Sequence, residues 1–201
     1  MATGGAVLWE YLVAVGAVTA LYGVIGVLEV VTSLRTTFKQ GVMLAVVLFL
    51  ALSVREIYYN GALSADAEDR REFRGRRALE LAVVAVVGVV TVVIFGIGAV
   101  GITRPLLALQ GVGSLVFAGY GFWFGRQQTA AVMVQGTMID SLLRHLMPVM
   151  AFATLVPAVD LATVAGLDRV VVMHVQVVFV IMTATALMTA TIKLRQNLAS
   201  L

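Results

Sequence analysis

Runs of about 20 consecutive apolar residues, the length that crosses a hydrocarbon layer roughly 30 Å thick as a helix, recur along this chain and decide what it can fold into. They fall at about 11–34, 40–59, 79–101, 105–125, 147–166 and 170–192. Inside lipid every backbone N–H and C=O must find a partner within the chain, so only helices and closed barrels can span. Barrel strands alternate apolar and polar residues, whereas these runs are continuously rich in Val, Ala and Leu. Valine favours strands in water, but burial in lipid overrides that preference. The pattern predicts an all-α, polytopic transmembrane helix bundle of six spans, a single integral membrane domain over 1–201 placed multi-pass in the cell membrane. Composition agrees: 61% of the 201 residues are hydrophobic and 12% charged, against roughly 25% charged in soluble domains. The first run lacks a preceding Lys or Arg and exceeds the roughly 7–15 residues of a signal-peptide core, which predicts a retained first span.

Two connections are long. In the loop 61–78, Arg70, Arg71, Arg74, Arg76 and Arg77 intermingle with acids. This basic loop is a candidate contact for lipid head groups or a partner protein, set against a plain solvated loop. Over 127–146, Thr137, Asp140, Ser141 and Arg144 share one helical face and Met138, Ile139, Leu142, Leu143 and Leu146 the other. That predicts an amphipathic helix in the membrane interface, ended by Pro148; a seventh crossing through this region is the competing reading. With N- and C-termini both cytoplasmic, ten Lys and Arg fall inside and four (Arg35, Lys39, Arg104 and Arg169) outside, as the positive-inside rule requires. The basic residues sit at span ends rather than on one exposed face, so the net charge of +3 is a topology signal and not a nucleic-acid footprint.

Helical periodicity also assigns faces. In the first span Gly16, Thr19, Tyr22, Gly23, Gly26, Glu29 and Ser33 form a small and polar stripe expected to face protein. Ala17, Leu21, Val24, Leu28 and Val31 form an apolar stripe expected to face lipid. In the fourth, Gln110, Ser114, Ala118, Gly121 and Gly125 share a face, with Gly121 and Gly125 in small-xxx-small spacing. In the fifth, Pro157 neighbours Asp160 and frees a backbone carbonyl. In the sixth, His174, Val178, Met182, Thr185, Thr189 and Lys193 align as a moderately polar strip.

Counted from the basic span ends, Glu29, Gln110, Asp160 and His174 all fall at similar depth in the outer half of the bilayer. A carboxylate there costs about 2.5–3.5 kcal/mol to insert, so it faces a cavity or a partner. These four are the candidate ion, proton or substrate-binding residues; Gly23, Gly26, Gly121 and Gly125 are the candidate helix-packing positions. The alternative reading of the same carboxylates is structural: interhelical hydrogen bonds or ion pairs.

No Gly-x-Ser-x-Gly, no HExxH and no cysteine is present, which removes thiol chemistry and offers no hydrolytic constellation. Gly96-Ile-Gly-Ala-Val-Gly101 matches a dinucleotide fingerprint in letters but closes an apolar run instead of opening a soluble helix. His145 and His174 differ in depth, which argues against paired haem ligation. No metal or cofactor is indicated, and an enzyme is not expected. The leading expectation is a channel or a proton- or cation-coupled carrier. The alternative is a non-catalytic sensor or subunit of a larger membrane complex. The expected partners are the lipid bilayer and a second copy or companion membrane subunit.

Overall fold

The computed structural model describes residues 3–32, 39–62, 103–130 and 138–199. Every element among them is a helix: α1 (Thr3–Thr32), α2 (Lys39–Ala62), α3 (Thr103–Ala130), α4 (Met138–Ala158), α5 (Asp160–Val164) and α6 (Arg169–Ala199). Five stretches are long and apolar enough to cross a membrane: Leu8–Thr32, Lys39–Tyr58, Arg104–Gln127, Ser141–Val164 and Arg169–Gln196. The expected span 79–101 and the loop carrying Arg70, Arg71, Arg74, Arg76 and Arg77 lie outside the described residues.

Contacts along the helices fix their directions. Glu29 meets Lys39 and Tyr11 meets Phe49, so α1 and α2 form an antiparallel hairpin. Gly113 abuts Leu44, Gly121 abuts Ala51 and Gly125 abuts Val54, so α2 and α3 run parallel. The chain therefore leaves α2 at one end of the bundle and begins α3 at the other. Against α3, Gly125 and Gly121 meet Met147 and Met150 and Ser114 meets Thr154, so α4 is antiparallel. Gln176 reaching Val156 returns α6 antiparallel to α4.

The α5–α6 turn is built from local chemistry. Gly166 adopts φ +100°, where a side chain would be strained. Around it the Leu167 N–H donates to the Ala162 carbonyl and the Gly166 N–H to that of Thr163, a Schellman closure. Asp168 then caps α6 by accepting from the Val170 N–H at 2.6 Å.

α2 is the axis of the bundle: 72% of its span is buried, against 22% of α1 and 17% of α6. Val46, Val47, Leu50, Ala51 and Val54 pack with Leu143, Leu146, Val149, Met150 and Ala153 in one core. On α1 the stripe Ala17, Leu21, Val24, Leu28 and Val31 is exposed, as suits lipid. The buried line runs along Tyr11, Val15, Tyr22 and Ile25. Gly16 and Gly23 of the small stripe are exposed, and nothing lies within 4 Å of where a Cβ on either would stand. The larger side chains one position away make the contact instead. On α6 the strip His174, Val178, Met182, Thr185 and Thr189 is exposed, and Val172, Gln176, Thr183 and Ala190 turn inward.

Pro148 does not end a helix. α3 extends to Ala130, and α4 runs from Met138 through Pro148 to Ala158. Pro148 is exposed, while Leu143, Leu146, Val149 and Met150 bury on one continuous stripe across it. The ring removes one ladder hydrogen bond on the outer side, and packing on the inner side holds the helix together.

Candidate functional site at the α4–α5 break

The irregular point in α4 is Pro157. Lacking an N–H, it cannot donate to the carbonyl one turn back; just beyond it Val159 keeps right-handed helical angles (φ −63°, ψ −23°) and its bond to the Leu155 carbonyl at 3.0 Å, while the Ala162 N–H donates to the Val159 carbonyl, so α4 passes into the five-residue α5 through one tightened turn. Carbonyls at this step engage neighbouring helices. The Thr154 carbonyl accepts from Ser114 Oγ at 3.2 Å, a hydroxyl also 2.8 Å from the Gly111 carbonyl. The Val156 carbonyl accepts from Gln176 Nε2 at 3.0 Å. α3 comes so near that a Cβ on Gly111 would lie 3.1 Å from the Pro157 carbonyl oxygen and 2.7 Å from Leu161 Cγ. Only a residue without a side chain permits that approach.

Into this layer project polar groups that other side chains leave unsatisfied. Gln110 is one turn from Ser114 on the same face and fully buried, yet among the described residues neither its Oε1 nor its Nε2 has a hydrogen-bond partner. The same holds for Asp160 Oδ2 and Thr163 Oγ1. Asp160 is 7% exposed, with the Gln176 side chain in hydrogen-bonding reach and the exposed Arg169 acting on it electrostatically. A buried polar atom left unpaired costs about 1–3 kcal/mol, so four in one layer concentrate a destabilising load there. Tyr22, buried on α1, lies within electrostatic reach of both Asp160 and Glu29.

Of the four residues that sequence depth aligned, the structure brings Gln110 and Asp160 to this layer. Glu29 sits at the mouth of the α1–α2 hairpin, where its Oε2 accepts from Lys39 Nζ at 2.7 Å and each side chain is 23% exposed. The Lys39 ammonium also lies 5.1 Å from the Tyr22 ring centre. His174 is exposed on α6, its Nδ1 2.7 Å from the Val170 carbonyl. The inward place belongs to Gln176, two residues along. Its signal was the spacing of Gln176 with Thr183, Ala186 and Ala190, a small and polar stripe of the kind that packs helices. Thr163 carried no signal beyond its position one turn after Asp160.

Among the candidate packing glycines, Gly121 stands against Met150 and the Ala51 backbone, and Gly125 against Met147. Gly26 lies beside the Lys39 side chain, and Gly23 faces outward. A second polar layer lies toward the other end of α2. Arg55, read from sequence as a topology marker, is 1% exposed and donates from Nη1 to Tyr120 Oη at 3.2 Å, with Glu56 also buried beside it in the chain. Among the described residues no three His, Cys, Asp or Glu side chains are placed to hold a metal.

Compared with known proteins, the chain matches no family model, no curated protein and no solved structure.

Proposed function

We propose that this protein is a small membrane transport protein, a channel or carrier for protons or small cations, and that the polar layer at the α4–α5 break is its ion site. One observation carries the reading: the buried carboxylate of Asp160 and the buried amide of Gln110 stand beside the tightened α4–α5 turn with hydrogen-bonding capacity that the described residues do not use. Intramembrane carboxylates are retained against their insertion cost where they face a cavity or pathway.

The reading includes six crossings with both termini on the cytoplasmic side of the cell membrane. Its support is the parallel pairing of α2 and α3, which requires a return between them, the apolar run 79–101, and the ten-to-four distribution of Lys and Arg. Glu29, being ion-paired with Lys39, serves the α1–α2 hairpin on this reading, and His174 lies off the pathway. Purified protein in liposomes should dissipate an imposed proton or sodium gradient faster than protein-free liposomes do. Rates equal to the protein-free control for both ions would remove the assignment.

A second reading, a non-catalytic sensor or subunit, draws on the Glu29–Lys39 pair and the Arg55–Tyr120 contact, which tie helices together. Native mass determination after gentle extraction separates the two: a stoichiometric companion protein supports the subunit, a lone homo-oligomer the transporter.

A further inference from the structure

We propose that the layer formed by Gln110, Asp160, Thr163 and the carbonyls around Pro157 binds a sodium ion. The proposal deepens the transport reading by naming the ion and rests on that reading for the site's purpose.

The donor chemistry selects the class. Asp160 Oδ2, Gln110 Oε1 and Thr163 Oγ1 are oxygens enclosed by protein with no hydrogen-bond partner among the described residues. The Pro157 carbonyl oxygen faces α3 one residue from Gln110. Oxygen-only donors suit hard cations and not zinc or copper, which take nitrogen and sulfur. A single carboxylate balances a single positive charge, whereas calcium sites gather several. Backbone carbonyls beside irregular helical turns coordinate sodium in transporters, and the Pro157 carbonyl stands beside the tightened turn at Val159.

Two of these side chains lie too deep to be surface groups left free by accident: Gln110 is 0% and Asp160 7% exposed. They belong to different helices, α3 and α5, which approach closely at Gly111, where a Cβ would lie 3.1 Å from the Pro157 carbonyl oxygen and 2.7 Å from Leu161 Cγ. Among the described residues, Arg169 acts on the carboxylate from an exposed place at the start of α6, and Lys39 is engaged by Glu29.

The test uses the full chain in detergent, followed by tryptophan fluorescence during heating in NaCl, KCl or choline chloride at equal ionic strength, together with equilibrium retention of radioactive sodium. A ligand that binds only the folded state raises its stability with concentration, so a saturable rise in Tm of several degrees, about 3–6, is expected in NaCl alone. Asp160→Asn should abolish both the rise and the sodium retention, and Gln110→Met should weaken apparent affinity about tenfold by deleting one ligand oxygen. If Asp160→Asn fails to fold, the Gln110→Met titration decides alone. Equal Tm in all three salts with no saturable retention overturns the proposal, as does an equal effect of potassium. A sodium effect that survives both substitutions overturns the location. Proton flux without sodium binding would leave the transport reading standing and remove this one; sodium binding without flux would do the reverse.

Discussion

Asp160→Asn is expected to reduce gradient-driven ion flux in proteoliposomes to the protein-free background while leaving the fold as stable as before, or more so. Asparagine is nearly isosteric and retains an oxygen for the Gln176 side chain in reach of residue 160. What it removes is the negative charge, whose insertion at such a depth costs about 2.5–3.5 kcal/mol. Stability and flux should therefore move apart, because a site that stores unfavourable energy for function gains stability when the function is deleted. Glu29→Gln is the control at the other carboxylate. It breaks the 2.7 Å pair with Lys39 between partly exposed side chains, for which about 0.2–1 kcal/mol is usual, so Tm should fall slightly and flux persist. Lost flux in Glu29→Gln with normal flux in Asp160→Asn would move the site to the α1–α2 hairpin.

The largest structural effect should come from Gly121→Leu. Even a Cβ there would lie 2.6 Å from Met150 Sδ and 3.0 Å from both the Cα and the Cβ of Ala51. Met150 is fully buried and cannot swing into open space, and the Ala51 backbone belongs to the axial helix. α2, α3 and α4 must separate, disrupting the core that Leu50, Val54, Val149 and Met150 share. Overpacking of this kind costs about 1–3 kcal/mol for modest insertions, and a leucine should exceed that and lower Tm sharply or prevent extraction of folded protein. Gly125→Ala should be milder, since its short contacts are to the Met147 side chain near its flexible end. Gly23→Ala should be silent, because nothing lies within 4 Å of that position. Thermal unfolding of the three variants in one detergent orders them; a Gly23 effect equal to that at Gly121 would contradict the packing described.

The all-helical architecture, with helices long and apolar enough to cross a membrane, was legible because apolar run length and lipid's demand for internal hydrogen bonding leave few alternatives. Faces were legible where a helix packs on both sides of a small-residue line, as on α3, where Gln110, Ser114, Ala118, Gly121 and Gly125 are all buried. They were less legible on peripheral helices. α1 and α6 are buried along only one narrow line, and a shift of one residue, about 100° of helix, exchanges Gly16 for Val15. On α6 two residues exchange His174 for Gln176. Pro148 and Pro157 look alike in sequence, yet Pro148 is outward while Pro157 lies buried beside α3, next to the tightened turn at Val159. Depth counted along single helices brought Glu29 level with Asp160, but it could not say that Lys39 takes up Glu29.

An ion pathway at the α4–α5 break admits water, and a packed seam does not, so solvent access separates the two. The chain has no cysteine, so a single one can be placed at will. Gln110→Cys and Ala153→Cys substitute two positions that are both 0% exposed; a small charged thiol reagent should modify the first and leave the second untouched, with sodium slowing the reaction at position 110. Position 110 as inert as position 153, in protein that still folds, would show a packed seam and contradict the ion site.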